Sequence, residues 1–197
     1  MPTSSPLRRL VRALLNAPQL RRAARDLGRR ITSSEPDPGS VAAQALLDSP
    51  LADRRALPPV RIDYAPRADG AADPGEIVWT WVPFEEDHSR GKDRPVLVLA
   101  LEEAMVGGSD GAGDVLVALM LTSHDRAPDG GRVTDKHGST WVDIGSGGWD
   151  ASGRRSEVRV DRLLRLHPEA VRREAASLDR ARFVRVVAAV REVHGWT

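Results

Sequence analysis

Between Glu76 and Leu166 the apolar residues of this chain come in five short runs: EIVWTWV, RPVLVLAL, DVLVALMLTS, STWVDIG and SEVRVDRLLRL. Each run is short and bounded by Gly, Asp, Ser or Pro clusters, which predicts strands. Short strands separated by turn-rich loops predict a small, strongly curved β-barrel. RPVLVLAL is apolar at both parities and belongs in the middle of a sheet. EVRVD alternates, so one of its faces is left for solvent or a ligand.

The flanking segments read differently. After His167-Pro168, the stretch PEAVRREAASLDRARFVRVVAAVREVHGW predicts helix, with Asp179 a cap within it. Phe183, Val186, Val187 and Val190 recur on one face and should pack the last helix against the sheet. Upstream, Pro6 to Arg30 is a basic amphipathic helix, with Leu7, Leu10, Val11, Leu14 and Leu15 at helical spacing and a break at Pro18. A polar linker, TSSEPDPGS, separates it from a short helix candidate, Val41 to Leu57, that Pro58 and Pro59 terminate. The expected organisation is an arginine-rich helical extension and linker over residues 1–59, and a mainly β domain with α (α+β) over residues 60–197. The domain opens on an extended VRIDY and a turn-rich PRADGAADPG.

Charge is uneven along the chain. Its 29 basic and 28 acidic residues nearly cancel, yet Met1 to Ile31 holds eight arginines and one acid, a net +7 that leaves −6 on the remaining 166 residues. The arm suits RNA, a membrane surface, a partner's groove, or simple solvation. The absence of cysteine excludes disulfides, thiolate chemistry and Cys-based zinc sites, and fits a reducing cytoplasm. The five histidines show no HxH or HExxH spacing, so neither a metal nor another cofactor is expected. No apolar run approaches the roughly 20 residues that span a bilayer. Arg12 and Pro18 interrupt the only stretch that resembles a secretory signal.

Taken together, GEIVWTWVPFEEDHSRGKDRPVLVLA (residues 75–100), LTS (121–123) and SEVRVDRLLRL (156–166) resemble the PemK/MazF toxin family in order and spacing. The likeness runs from about Pro74 to Val193 and leaves the arm outside. It implies an SH3-like small curved β-barrel with a C-terminal helix, assembled as a homodimer. It also implies the toxin of a type II toxin–antitoxin system: a metal-independent endoribonuclease that cuts single-stranded RNA (mRNA) at short sequences. A 2′-hydroxyl is the internal nucleophile, the products are a 2′,3′-cyclic phosphate and a 5′-hydroxyl, and an antitoxin covers the RNA groove. The related gyrase-poison toxins use the same architecture without this chemistry. A non-catalytic module that blocks a protein or nucleic-acid target is therefore the alternative.

The reaction needs a base at the 2′-hydroxyl, positive charge on the phosphoryl oxygens and help for the leaving oxygen. Period-two alternation puts Arg159 and Asp161 on one strand face and Val158 and Val160 on the other. In some members of the family an Arg-x-Asp supplies acid and base, which implies Asp161 as base. A guanidinium with a pKa above about 12 is better suited to stabilising phosphorane charge than to giving up a proton, so that is the role expected of Arg159. An ordinary surface ion pair would use the same two residues. His88, six residues before Arg94, matches a histidine that stabilises phosphate or assists the leaving group. Other members rely on an arginine and a threonine matching Arg94 and Thr122, with Ser123 as a further donor. Ser123, Lys92 and Trp149 are expected to contact substrate, Trp149 by stacking on a base. Trp79 and Trp81 are expected in the core or at a dimer contact, and Trp141 and Trp196 in packing. The loop between His124 and Thr140, the Gly-rich IGSGGWDASGRR and the acidic-then-basic EEDHSRGKD depart from the family pattern and are where cleavage specificity should reside.

Overall fold

The computed structural model describes residues 51–55, 57–104, 113–124, 126–127 and 130–196, all of them within one unit, Gln44–Thr197. The basic helix expected over Pro6 to Arg30 lies outside the described residues.

Eight antiparallel strands follow in chain order: β1 (Glu76–Pro83), β2 (Gly91–Glu103), β3 (Asp114–Thr122), β4 (Arg132–Thr134), β5 (Thr140–Gly145), β6 (Ser156–Arg159), β7 (Leu164–Leu166) and β8 (Arg172–Ser177). A single helix, α1 (Arg180–His194), closes the chain. The pairing path is β4-β5-β6-β3-β2-β1-β8, with β7 also on β3, and its two ends are not joined. Among the described residues the pairing therefore does not close the sheet into the small, strongly curved barrel expected from the sequence. All five apolar runs became strands. RPVLVLAL lies centrally as expected, and its Val96 to Ala100 are fully buried.

One helix expectation fails in part. Residues 172–177, read as the start of the last helix, form β8 and pair with β1 through Glu76↔Ser177, Ile77↔Ala176 and Trp79↔Arg172. The Ala-rich RREAAS favours helix locally, but the free edge of β1 offers ladder bonds that outweigh a propensity worth only tenths of a kcal/mol per residue. The helix begins instead at the cap Asp179, whose carboxylate accepts the Arg182 N–H at 3.0 Å. It ends at Gly195, whose left-handed φ of 64° lets its N–H reach back to the Arg191 and Glu192 carbonyls. The helix proposed for Val41 to Leu57 lies mostly outside the described residues; of those described, Leu51–Arg55 and Leu57 are irregular.

The sheet is apolar on both sides. Ile77, Leu97, Leu99, Val158 and Val160 pack with Phe183, Val186, Val187 and Val190 of α1, the helix face read from the sequence. Val78, Val82, Val96, Val98, Met120 and Trp141 form a second cluster on the other side. Residues before the sheet are tied to it. Tyr64 donates to the Leu178 carbonyl at 2.8 Å and its ring lies 5.2 Å from that of Phe183. Further upstream, Leu51 is buried, the Arg54 N–H donates to the Leu163 carbonyl at 2.8 Å, and Asp53 pairs with Arg162 at 2.7 Å.

Candidate functional site

Two features of the sheet bring polar side chains together at one end. The β2–β3 ladder stops at Val96↔Met120, although β2 runs on beside β1 to Gly91 and β3 runs on beside β6 to Thr122. The strands part there. Arg94 and Thr122 flank the split, both at the parity of Val96 and Met120. The second feature is the run SEVRVDRLLRL, which does not continue as one strand. After Arg159 the Val160 N–H bonds to the Thr140 carbonyl at 2.9 Å, and the chain turns before β7 pairs with another part of β3. That corner holds Asp161 and Arg162.

The alternation expected for β6 holds. Val158 and Val160 are fully buried in the cluster under α1, while Arg159 and Asp161 form an ion pair on the opposite face. Arg159 Nε donates to both Asp161 oxygens at 3.2 and 3.0 Å, and Nη2 donates to Oδ2 at 2.8 Å. Asp161 Oδ1 also accepts the Thr140 N–H at 2.7 Å. The outer edge of Arg159 is taken as well: Nη1 and Nη2 reach the Glu85 carboxylate at 2.8 and 3.3 Å. Burial alone would lower the Arg159 pKa, but its hydrogen bonds to Asp161 and Glu85 and the charges of both carboxylates prevail, and it is raised. It remains a fixed cation, as the sequence argument required.

Arg94 is the converse case. It is half-buried, burial lowers its pKa from the ordinary guanidinium value, and among the described residues it makes no ion pair. A cation held out of water without a counter-charge suits an anionic ligand. Thr122 is buried, and its hydroxyl accepts the His124 N–H at 3.4 Å. Ser123 and Lys92 are exposed, Lys92 at the parity of Arg94. His88 is exposed in the β1–β2 loop, three residues beyond Glu85. The loop brings Glu85 onto Arg159, and among the described residues His88 makes no hydrogen bond or ion pair.

Trp149 is not the exposed platform expected of it. It is only 6% exposed, belongs to the core under α1 and donates its indole N–H to Ser156 Oγ at 3.0 Å. The glycines around it make room for the ring: a Cβ on Gly147 would meet it at 2.1 Å. Trp141 packs as expected, whereas Trp81, 51% exposed, is not in the core.

Four participants were not singled out from the sequence. Glu85 clamps Arg159. Arg162, buried, joins Asp53 at 2.7 Å and donates to the Pro83 carbonyl at 3.0 Å, tying the base of the β1–β2 loop to the Asp161 corner. Glu157 is 1% exposed and accepts the backbone N–H groups of Arg126 and Ala127. Arg126 in turn lies over Trp141, 4.6 Å from its ring. The acidic opening of EEDHSRGKD was the only sequence signal for any of them. Among the described residues no group of three or more His, Asp or Glu side chains is placed to hold a metal ion. No helix among them is long and apolar enough to cross a membrane.

A profile of the PemK-like, MazF-like toxins of type II toxin–antitoxin systems matches residues 73–194, more than half of the chain. The chain belongs to this family. As a PemK/MazF-type toxin of a type II system, it implies an antitoxin partner. The matched span begins within three residues of β1 and ends with α1, so it contains the whole sheet and helix together with Arg94, Thr122, Arg159 and Asp161. Residues 51–72 lie outside it, although several of them pack on the core. No curated protein and no solved structure gives a match to the chain.

Proposed function

We propose that this toxin is an endoribonuclease that cleaves single-stranded RNA by internal attack of a 2′-hydroxyl. The observation that carries the reading is Arg94: a half-buried cation without a counter-charge among the described residues, across the β2–β3 split from Thr122 and on the sheet face that also bears the Arg159–Asp161 pair. In this reading Arg94 and the Thr122 hydroxyl hold the scissile phosphate, with Ser123 and Lys92 along the strand's path. Asp161 takes the 2′-hydroxyl proton as the 2′-oxygen bonds to phosphorus. Arg159, whose raised pKa keeps it charged, stabilises the phosphorane. The bond from phosphorus to the 5′-oxygen then breaks, and that oxygen takes a proton from the His88 imidazolium. Glu85 occupies the edge of Arg159 that a phosphate would use, so RNA must displace it.

The homodimer, the antitoxin over the groove, and an arginine-rich N-terminal arm that attracts nucleic acid belong to the same reading. A non-catalytic binding module has one observation on its side: Arg159 is saturated by two carboxylates, as a purely structural cation would be. Incubating purified protein with defined single-stranded RNAs in EDTA separates the two. Cleavage at discrete sites leaving cyclic-phosphate ends, lost in Asp161→Ala and Arg94→Ala, is the expected result. An intact RNA pool of diverse sequence gives the binding module the better claim.

A further inference from the structure

The loop leaving β3 is held by two buried carboxylates from neighbouring strands, Glu157 and Asp143, which face each other in the β5–β6 ladder. Glu157 Oε1 accepts the N–H groups of Arg126 and Ala127. Asp143 accepts the Gly130 N–H at 2.7 Å, and its own N–H donates to the Gly131 carbonyl at 2.9 Å. Burying carboxylates is costly unless their oxygens are filled, and here both are used to fix loop backbone. These bonds fix the backbone from which the Arg126 side chain projects.

That placement is beside the candidate site. The Arg126 guanidinium lies 4.6 Å from the Trp141 ring centroid, and one nitrogen reaches Glu157 Oε2 at 3.4 Å. Trp141 is anchored in turn, its indole N–H donating to Asp135 at 2.9 Å, and it is the register partner of Arg159. Glu157 and Arg159 share a strand face two residues apart, about 7 Å. Arg126 is thus a planar cation lying over an indole, with about a third of its side chain open to solvent, one strand step from the residue that faces the phosphate in the proposed reaction. Flat, pre-organised guanidinium planes of this kind receive unstacked bases of single-stranded RNA.

We infer that Arg126, lying over Trp141 and held by Glu157, is the platform for a nucleobase adjacent to the scissile phosphate, and so a determinant of cleavage sequence. The inference rests on the ribonuclease reading for its ligand, single-stranded RNA, and supplies what that reading lacks, a base contact. A phosphate contact would need only the charge of Arg126, whereas a base platform needs its plane. Arg126→Lys keeps the charge and removes the plane, and Arg126→Gln removes the charge as well.

The test is a binding titration of the full chain with a short single-stranded RNA spanning a mapped cut, made resistant by 2′-deoxy substitution at the cleaved nucleotide. If no cut is found, the RNA is one selected by binding from a random pool. Single abasic substitutions are walked along it. Wild type should lose about tenfold or more in affinity at one position next to the cut, the size of a lost base stack. In Arg126→Lys and Arg126→Gln the penalty at that position should collapse while the penalties elsewhere persist. Unchanged abasic profiles in both variants, or a uniform loss at every position, would overturn the platform and leave the ribonuclease reading intact. Wild type binding no RNA at all would overturn both.

Discussion

Arg159 and Arg94 carry the same charge in opposite surroundings. Arg159 has its forked donors divided between Asp161 and Glu85, whereas Arg94 is half-buried with no ion pair among the described residues. In the ribonuclease reading, each contrast predicts a separable phenotype. Glu85→Gln removes one of the two charges on Arg159, and a partly exposed pair is worth about 1 kcal/mol at most, so RNA cleavage should rise by up to about fivefold. Single-turnover cleavage rates measure this, and a fall in rate would show that Glu85 assists rather than gates. Arg94→Met should lower cleavage by about 10²–10³, the loss typical of one preorganised donor to a developing oxyanion. The same variant should gain roughly 0.5–2 kcal/mol of stability, because a cation half removed from water is exchanged for an apolar chain of similar shape. Cleavage assays and urea denaturation of one preparation check both halves.

At the level of elements, β8 and α1 show how context divides one helical-looking segment. RREAAS lies against the open edge of β1 and becomes strand. The chain then meets Asp179, whose side chain caps the first turn. Four apolar residues, Phe183, Val186, Val187 and Val190, seat the helix on the sheet. The helix face was legible because its period of 3.6 is local. The start was not, since the competing strand partner lies about 100 residues earlier in the chain. Asp179→Ala should cost about 1 kcal/mol in urea denaturation, the usual worth of a cap. Because β8 and α1 meet at this residue, the loss should appear as a shift of midpoint with an unchanged slope.

Across the described unit, stability depends on buried ion pairs that reach beyond the family span. Asp53 and Arg162 are 6% and 5% exposed, and Arg54 and Arg165 share Glu102 at 2.9 and 2.7 Å. Breaking such a pair leaves a buried charge unmatched, so Asp53→Ala should cost about 3–5 kcal/mol in equilibrium unfolding. A loss under about 1 kcal/mol would mean that the segment preceding the family domain merely rests on it. Acid should act through Asp143. Burial opposes its ionised form, but hydrogen bonds from the Gly130 and Gly145 N–H groups and from Arg155 prevail and hold its pKa below the ordinary 3.8. The unfolded chain therefore protonates this group first. Its contribution is complete above about pH 4 and is lost as pH falls through the depressed folded value. Urea midpoints measured between neutrality and about pH 3 should fall less steeply in Asp143→Asn than in wild type.

What the sequence determined by itself was whatever has a short period or an ordered motif. The strand runs, the alternation that sets Arg159 and Asp161 opposite Val158 and Val160, the apolar stripe of α1 and the family membership were all read from neighbouring residues. Tertiary structure alone decided the rest. It left the sheet open rather than closed, buried Trp149 against Ser156, placed Glu85 on an arginine 74 positions away and laid Arg126 on Trp141 through a carboxylate 31 positions distant. The physical reason is common to these cases. Periodicity reports which side of an element is apolar, whereas the partner of a charge or a ring is set by which strands become neighbours, and that is a property of the whole sheet.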